Sequence, residues 1–329
     1  MNVINKLKFD KEIIKLKNIE VSIDGICNKL QTDIYQVLRR RGGVIGISGG
    51  IDSSVTLALA VKALGAKNIL GVMLPEKDSS GDSKKFALKL AAKFGVKVVE
   101  ENISSALEGF ACYKRRDDAV KRIIPDYNPV TDKMKIGIPE EFLNSKMPPV
   151  FYVTVIFADG SERSERLPMN EYLQIVAASN FKQRSRMSML YYHAEALHYA
   201  VVGTPNKHEV QQGFFVKYGD GGADVMPIGN LYKTQVYELA LALGVPDEII
   251  NRTPTTDTYT AEQTQEEFFY QMPFESMDLL WYGWENKYST NEVASEMDLD
   301  IEDVDRIFKN FERKQKTTEY LRNPPIHDY

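Results

Sequence analysis

The chain has 329 residues, of which 43% are hydrophobic and 26% are charged, a composition that supports one large core or two and excludes a disordered or fibrous protein. Acidic residues outnumber basic ones by 46 to 41, which gives a net charge of −5, so no nucleic-acid partner is expected. Two cysteines, Cys27 and Cys112, are too few for a disulfide framework. They favour a reducing compartment, and because we find neither a signal peptide nor a membrane span, we expect a cytoplasmic protein.

The first part of the chain alternates helical and extended patterns. Apolar residues spaced by three and four predict a helix over residues 23–40, and a short apolar run at 44–47 predicts a buried strand. The same criteria predict helices at 53–64 and 83–94 and strands at 69–74 and 96–100. This alternation predicts an α/β fold, a doubly wound parallel sheet with helices on both faces.

The alternation stops between residues 106 and 179. Residues 151–167, FYVTVIFADGSERSERL, form two extended runs around Asp159-Gly160, which predicts a β-hairpin insertion. A helix at 187–197, a strand at 200–202 and a helix at 231–243 then resume the pattern. We expect one α/β domain over 1–260, with an insertion at about 110–179, and a C-terminal helical extension over 261–329 packed on that domain.

The most informative motif is SGGIDSS at residues 48–54, between a predicted strand and a predicted helix. Two glycines allow a tight turn, and the hydroxyls and free N–H groups of a helix N-terminus bind phosphate oxygens. The Walker pattern is absent, because no GK[ST] ending follows. The Asp52 carboxylate beside a phosphate predicts a bridging Mg²⁺. The alternative is an ordinary turn in which Asp52 and Ser53 only cap the helix.

This motif resembles the signature of the N-type ATP pyrophosphatases, which split ATP between its α and β phosphates. Three later segments, VVGTPNKHE (201–209), FVKYGDGGAD (215–224) and LYKTQV (231–236), resemble the NAD synthetases in order and spacing, as does RSRM at 184–187. The resemblance implies a fold like that of the adenine nucleotide alpha hydrolases. It also implies adenylation of a carboxylate by ATP, with Mg²⁺, followed by attack of ammonia to give an amide.

The resemblance assigns roles to individual residues, each of which taken alone could be a solvated charge or a turn residue. It implies Asp52 and Glu209 as Mg²⁺ ligands. The implied catalytic residues are Asp52, Lys233 and Asp224, and the implied contacts of the acid substrate are Arg184, Lys217 and Asp224. The implied ATP-binding residues are Gly46, Ser48, Gly49, Gly50, Asp52, Ser53, Thr204, Lys233 and Thr255.

The acid substrate implied by the resemblance is nicotinic acid adenine dinucleotide, and the product is NAD. A second hypothesis keeps this chemistry but changes the acid, for example to a sugar acid, because the stretch Glu319–Arg322 lacks a His-Lys pair that is usual in the family. A tRNA-modifying enzyme is disfavoured by the acidic composition. A non-catalytic nucleotide-binding module is disfavoured, because it would not explain the presence of Asp52, Glu209 and Lys233.

The sequence also bears on partners. We find no nucleophile in a glutaminase-like context, so ammonia is expected to be taken up free or from a separate glutaminase subunit. The stretch 181–199 is rich in Met, Tyr and Leu. Since one helix rarely buries so much apolar surface on its own sheet, and the resembling family is dimeric through such helices, we expect a homodimer.

Overall fold

The computed structural model describes residues 7–79, 81–138, 150–254, 259–261, 264, 270 and 272–327. The strands are β1 Gly43–Gly46, β2 Ile69–Met73, β3 Lys97–Glu100, β4 Lys133–Gly137, β5 Tyr152–Ile156, β6 Glu162–Arg166 and β7 Ala200–Val201. The first helices are α1 Ile19–Gln31, α2 Ile51–Leu64, α3 Gly81–Phe94, α4 Ser104–Gly109, α5 Cys112–Ile123 and α6 Met169–Leu197. The later helices are α7 Lys207–Gln212, α8 Lys233–Ala242, α9 Asp247–Ile250, α10 Phe274–Glu285, α11 Thr290–Met297, α12 Ile301–Thr317 and α13 Glu319–Arg322. A π-helical segment, Thr32–Val37, continues α1, and 3₁₀ turns occupy Ala66–Asn68 and Asp220–Gly222.

Four strands form a parallel sheet in the order β3-β2-β1-β7. In β1, Val44 pairs with Leu70 on one side and with Val201 on the other. Alternate residues of β1 face opposite ways, so Val44 packs in the cluster that contains α6, and Ile45 in the cluster that contains α1, α2 and α8. The predicted α/β fold, with helices on both faces of a parallel sheet, is confirmed.

The predicted hairpin is present as β5 and β6, and it belongs to a three-stranded antiparallel sheet in the order β4-β5-β6. Val153 and Val155 on β5 are fully buried against α5 and the start of α6, whereas β6 is largely exposed. The prediction missed β4. Its Met134 and Ile136 alternate with lysines as a half-buried strand requires, but the run has only five residues between proline-rich stretches.

Helix α6 is the largest difference from the predicted elements, because it begins at Met169 rather than near residue 187. Its first half packs on the antiparallel sheet through Ile175, and its second half packs on the parallel sheet through Met187 and Leu190. The apolar face therefore changes partner along the helix. No single apolar stripe marks its full length, which is why the periodicity detected only the second half.

The helices after residue 272 form a second hydrophobic core around Trp281. Phe9 and Ile14, from the start of the chain, are buried in this core, and the Tyr288 hydroxyl donates a hydrogen bond to the Leu7 carbonyl oxygen at 2.8 Å. The sequence pattern does not indicate this contact. Across the described part of the chain, no helix combines the length and the apolar character that a membrane span requires.

Candidate active site

The SGGIDSS loop connects β1 to α2 and leaves the start of α2 open. Gly49 adopts φ +74°, and a Cβ atom on it would lie 2.7 Å from the Phe86 Cβ atom, so only glycine fits without a shift. Gly50 is the N-cap of α2, and no side chain caps the helix there. The Ser48 hydroxyl accepts a hydrogen bond from the Gly50 N–H at 3.3 Å. The first N–H groups of α2 and the loop hydroxyls together form a cradle for an anion.

Lys233 reaches this loop from the first residue of α8. Its side chain is fully buried, and its ammonium forms an ion pair with the Asp52 carboxylate. Asn206 donates a second hydrogen bond to Asp52, at 3.2 Å. Burial lowers the pKa of Lys233, but the charges of Asp52 and Glu209 outweigh it and the pKa is raised above its ordinary value. The site therefore holds a permanent buried cation at the end of the loop.

Glu209 lies in the first turn of α7 and faces the same region. It forms a capping box with Asn206, whose N–H donates to the Glu209 carboxylate at 2.9 Å. Burial and, after it, the charge of Asp52 raise the pKa of Glu209 to about 8, although Lys233 opposes the rise. Asn206 donates to both carboxylates and both line the smaller cavity, so Asp52 and Glu209 are neighbours with like charge.

These two carboxylates fit a magnesium ion bound together with phosphate oxygens. Mg²⁺ commonly takes one or two protein carboxylates and completes its shell with substrate phosphates and water. Among the described residues no cluster of three or more His, Cys, Asp or Glu side chains is arranged for a metal, so the protein alone offers no complete cage. Asp52 and Glu209 would hold this ion, whose charge would offset the repulsion between the two carboxylates.

Two cavities meet at the loop. The larger, about 520 Å³, extends from the carboxyl ends of β1, β2 and β7 along α6, and Gly46 is part of its wall. The smaller, about 150 Å³, is lined by Asp52 and also by Arg252. Both cavities are lined by Ser48, Ser53, Thr204 and Glu209. The carboxyl edge of a parallel sheet is where such folds bind ligands, and the residues that line both cavities lie at this edge.

The predicted acid-substrate residues lie elsewhere. Arg184 Nε donates to the Lys217 carbonyl oxygen at 3.2 Å, and Lys217 Nζ donates to the carbonyl oxygens of Tyr320 and Asn323, both at 2.8 Å. The Asp224 carboxylate accepts hydrogen bonds from the Tyr191 hydroxyl at 3.0 Å and from the Val201 N–H at 2.8 Å. None of the three predicted residues is among the described residues that line the two cavities. Thr255 lies outside the described residues.

The charged residues that line the larger cavity include Arg186 and Asp220, which the sequence analysis did not assign to the site. Arg186 lies there, and its Nε donates to the Leu74 carbonyl oxygen at 3.3 Å. Asp220 also lines the cavity and accepts a hydrogen bond from the Val216 N–H at 2.9 Å. Burial raises the pKa of Asp220 to about 6, while the nearby Arg186 guanidinium lowers it.

The helical spacing of α6 could have distinguished the two arginines. The cavity-lining positions of the helix include Gln183, Arg186, Met187 and Leu190, which are spaced by three, four and seven residues. Residues at this spacing share one helix face. At 3.6 residues per turn these four side chains lie within about 50° of one direction around the helix axis, whereas Arg184 lies about 110° from that direction. A helix over this stretch therefore places Arg186, and not Arg184, near the centre of the face that carries Met187 and Leu190.

Comparisons with known proteins identify the family of the chain. The NAD synthase family model matches residues 19–124 and 155–325. The NH(3)-dependent NAD(+) synthetase of Rhizobium meliloti (strain 1021) is 44% identical over 322 residues, 98% of this chain and 95% of the relative. The NH(3)-dependent NAD(+) synthetase of Thermotoga maritima is 33% identical over 299 residues, 87% of this chain and 92% of the relative.

Solved structures show the same fold at low sequence identity. The NMN synthetase from Francisella tularensis superposes with a TM-score of 0.64 at 22% identity, covering 94% of this chain and 98% of that chain. The NH3-dependent NAD synthetase from Campylobacter jejuni superposes with a TM-score of 0.62 at 20% identity, covering 95% and 99%. The family match spans most of the chain, and the relatives align over nearly their full length. The chain therefore belongs to the NAD synthase family.

Proposed function

We propose that this protein is an ATP-dependent amide ligase that converts nicotinic acid adenine dinucleotide to NAD with ammonia. The observation that carries the proposal is the buried Lys233 ammonium, which pairs with Asp52 at the open N-terminus of α2. A buried cation beside an uncapped helix N-terminus suits a polyphosphate. Relatives that bear the name NH(3)-dependent NAD(+) synthetase align over nearly the whole chain, at up to 44% identity.

The proposed reaction has two steps. In the first, a carboxylate oxygen of the dinucleotide attacks the α-phosphorus of ATP, the bond to the β-phosphate oxygen breaks, and pyrophosphate leaves. In the second, ammonia attacks the acyl carbon, AMP leaves, and the nitrogen loses a proton to form the amide. The first step builds negative charge on the leaving pyrophosphate, so fixed positive groups at that point lower the barrier.

The protein's own groups divide this work. The N–H groups at the start of α2 and the hydroxyls of Ser48, Ser53 and Thr204 are proposed to bind phosphate oxygens. Lys233 neutralises the developing charge, because its raised pKa keeps it protonated. Asp52 and Glu209 would hold Mg²⁺, which when bound supplies further neutralisation of the phosphates.

In the part of the site that would bind the acid substrate, we propose roles for Arg186 and Asp220, since both line the larger cavity. Arg186 would bind an anionic group of the dinucleotide. A carboxylate with a pKa near 6 can accept a proton from the nitrogen nucleophile at neutral pH, and the pKa of Asp220 is about 6. The roles expected for Arg184, Lys217, Asp224 and Thr255 stay predictions.

The expectations on partners and location stay proposals as well. Ammonia is proposed to enter free, and a separate glutaminase subunit remains the alternative. A homodimer is proposed, and α6 carries exposed apolar side chains such as Leu173 and Tyr192 that support it. A cytoplasmic location is proposed too, and Cys27 and Cys112 are both buried and free.

The test is steady-state synthesis from ATP, Mg²⁺, ammonium and nicotinic acid adenine dinucleotide. We expect NAD, AMP and pyrophosphate in equal amounts. The other carboxylic acids raised by the sequence are not favoured, because the NAD synthetase relatives cover the acceptor half of the chain as well as the ATP half. Exchange of pyrophosphate into ATP with another acid, without NAD formation at saturating ammonium, would reverse that choice.

A further inference from the structure

The C-terminal helix α10 inserts a buried carboxylate between the helices that carry Lys233 and Glu209. Asp278 is fully buried, and its Oδ2 atom accepts hydrogen bonds from the Thr234 N–H at 2.8 Å and from the Thr234 hydroxyl at 2.6 Å. Its Oδ1 atom lies 2.5 Å from His208 Nε2. Each partner adjoins a proposed site residue, because Thr234 follows Lys233 and His208 precedes Glu209.

The direction of the His208 hydrogen bond follows from its partner. A carboxylate accepts, so His208 Nε2 donates to Asp278. His208 is fully buried, as Asp278 is, so water does not replace this contact if it is lost.

The same carboxylate supplies the N-terminal cap of α8. The first N–H groups of a helix have no partner within the helix. Here the N–H groups of Thr234, at 2.8 Å, and of Lys233, at 3.4 Å, both donate to Asp278, which lies 44 and 45 residues later. A negative charge at a helix N-terminus also interacts favourably with the helix dipole. The backbone of Lys233 itself is therefore held by the C-terminal helix.

We infer that Asp278 is a positioning residue of the ATP site, and the inference rests on the proposed function. It holds α7 and α8 in one arrangement. In this arrangement Lys233 pairs with Asp52, and Glu209 lies next to that pair. Phe274, one turn earlier on α10, supports the same lysine, since its ring centre lies 5.3 Å from the ammonium nitrogen. The C-terminal helices complete the phosphate site and do more than support the sheet from outside.

The test compares three variants of the full chain. Asp278→Ala removes every contact of the carboxylate, and Thr234→Val removes only the 2.6 Å hydroxyl donor while keeping the side-chain shape. The control is Val293→Ala, which opens a cavity at a fully buried position in the same C-terminal core. Each variant is assayed for thermal stability, for binding of a non-hydrolysable ATP analogue with Mg²⁺, and for kcat and KM of NAD formation.

We expect Asp278→Ala to lower kcat about 100-fold, the scale of a misplacement of reacting groups by 1 Å, and to weaken analogue binding. Val293→Ala should lower thermal stability about as much as Asp278→Ala does, while its kcat and its affinity for the analogue stay within about twofold of the parent. If Asp278→Ala does not fold, Thr234→Val carries the test, with an expected fall of about tenfold in affinity or kcat, the scale of one hydrogen bond.

The inference would be overturned if a folded Asp278→Ala protein bound the analogue and formed NAD within twofold of the parent. If Asp278→Ala does not fold, the same result for Thr234→Val would overturn it. A failure of the proposed function gives a different pattern. The parent protein would then bind the ATP analogue but form no NAD, and the binding comparison between Asp278→Ala and Val293→Ala would still report on Asp278.

Discussion

Asp52 makes two contacts in the free protein, with the Lys233 ammonium and with the Asn206 amide. Both contacts fix the carboxylate at the start of α2, where the proposed phosphates bind. An asparagine keeps the size of the side chain but loses the charge that would hold Mg²⁺ and that raises the pKa of Lys233. The substitution therefore isolates charge from shape.

We predict that Asp52→Asn lowers kcat/KM for pyrophosphate exchange into ATP by roughly 100-fold or more, which corresponds to about 3 kcal/mol of transition-state stabilisation. Asp24→Asn is the matched control, because Asp24 is an exposed carboxylate paired with Lys62 on the surface. The control should keep the parental rate. An Asp52→Asn protein that releases pyrophosphate as fast as the parent would contradict the proposed role.

Asp220 gives a prediction on pH. Its folded pKa, about 6, lies above its ordinary value of 3.8 because of burial. A raised carboxyl pKa means that Asp220 contributes stability below pH 3.8, and that this contribution is lost as pH rises through about 6. An asparagine side chain at this position would stay neutral at every pH and can still accept the hydrogen bond from the Val216 N–H.

The expected result for Asp220→Asn is a gain in unfolding free energy relative to the parent that grows from about pH 4 to about pH 7 and then levels off. Chemical denaturation across this range measures it. The exposed Asp126→Asn serves as the control and should show no such trend. A constant difference between variant and parent over the whole range would show that the Asp220 carboxyl titrates normally.

At the scale of elements, the strand, turn and helix around Gly49 form one rigid unit. Gly49→Ala should lower the free energy of unfolding through two costs. The first is the left-handed backbone, roughly 1–2 kcal/mol. The second is overlap with Phe86 and with the Ser83 carbonyl oxygen of α3, roughly 1–3 kcal/mol. Gly95 also has a positive φ, +67°, but a Cβ there meets nothing within 4 Å. Gly95→Ala should therefore show only the first cost in denaturant unfolding, and equal losses at both positions would argue against close packing at Gly49.

The elements that sequence patterns predict best are those with a single environment. Helix α2 and strands β1 and β2 are buried along nearly their whole length, so their apolar runs and glycine boundaries give their positions closely. Helix α6 was half missed because its apolar face serves two sheets in turn. Local periodicity reports one burial direction, and an element with two directions weakens the signal.

The same distinction applies to the candidate site. The glycine loop singled out Asp52, and the resemblance to the NAD synthetases singled out Glu209 and Lys233. Asp278 has no such pattern, since its partners lie 44 and 70 residues away in sequence. Arg186 required knowledge of which face of α6 lines the cavity. Contacts between distant elements depend on tertiary packing, which a single sequence does not display.

At the scale of the whole molecule, the apolar surface of α6 predicts self-association. Met169, Leu173 and Tyr192 are each more than half exposed on this helix, and Phe110 adds to the exposed apolar surface. A stable dimer needs about 800 Å² from each partner, with an apolar centre. We predict a homodimer through α6, with a mass in light scattering of twice the 37.4 kDa of one chain.

The interface can be tested with one charge. Leu173→Glu should convert the dimer to a monomer, because a buried carboxylate without a partner is costly. Val130→Glu, also at an exposed apolar residue but in the loop between α5 and β4, should leave the mass unchanged. A parent protein that scatters as a single chain at micromolar concentration would refute the prediction.

The hydrogen bond from Tyr288 to the Leu7 carbonyl oxygen ties together residues 281 positions apart in the chain. During translation at about 5–20 residues per second, the start of the chain would wait roughly 14 to 56 s before its partner is even made. Phe9 and Ile14 lack their partners in the core around Trp281 during that interval, and the Asp278 carboxylate that caps the helix of Lys233 is also made late. A nascent chain can thus assemble its parallel sheet before Asp278 is synthesised, whereas the proposed phosphate site is finished only after the helix that carries Asp278 has been made.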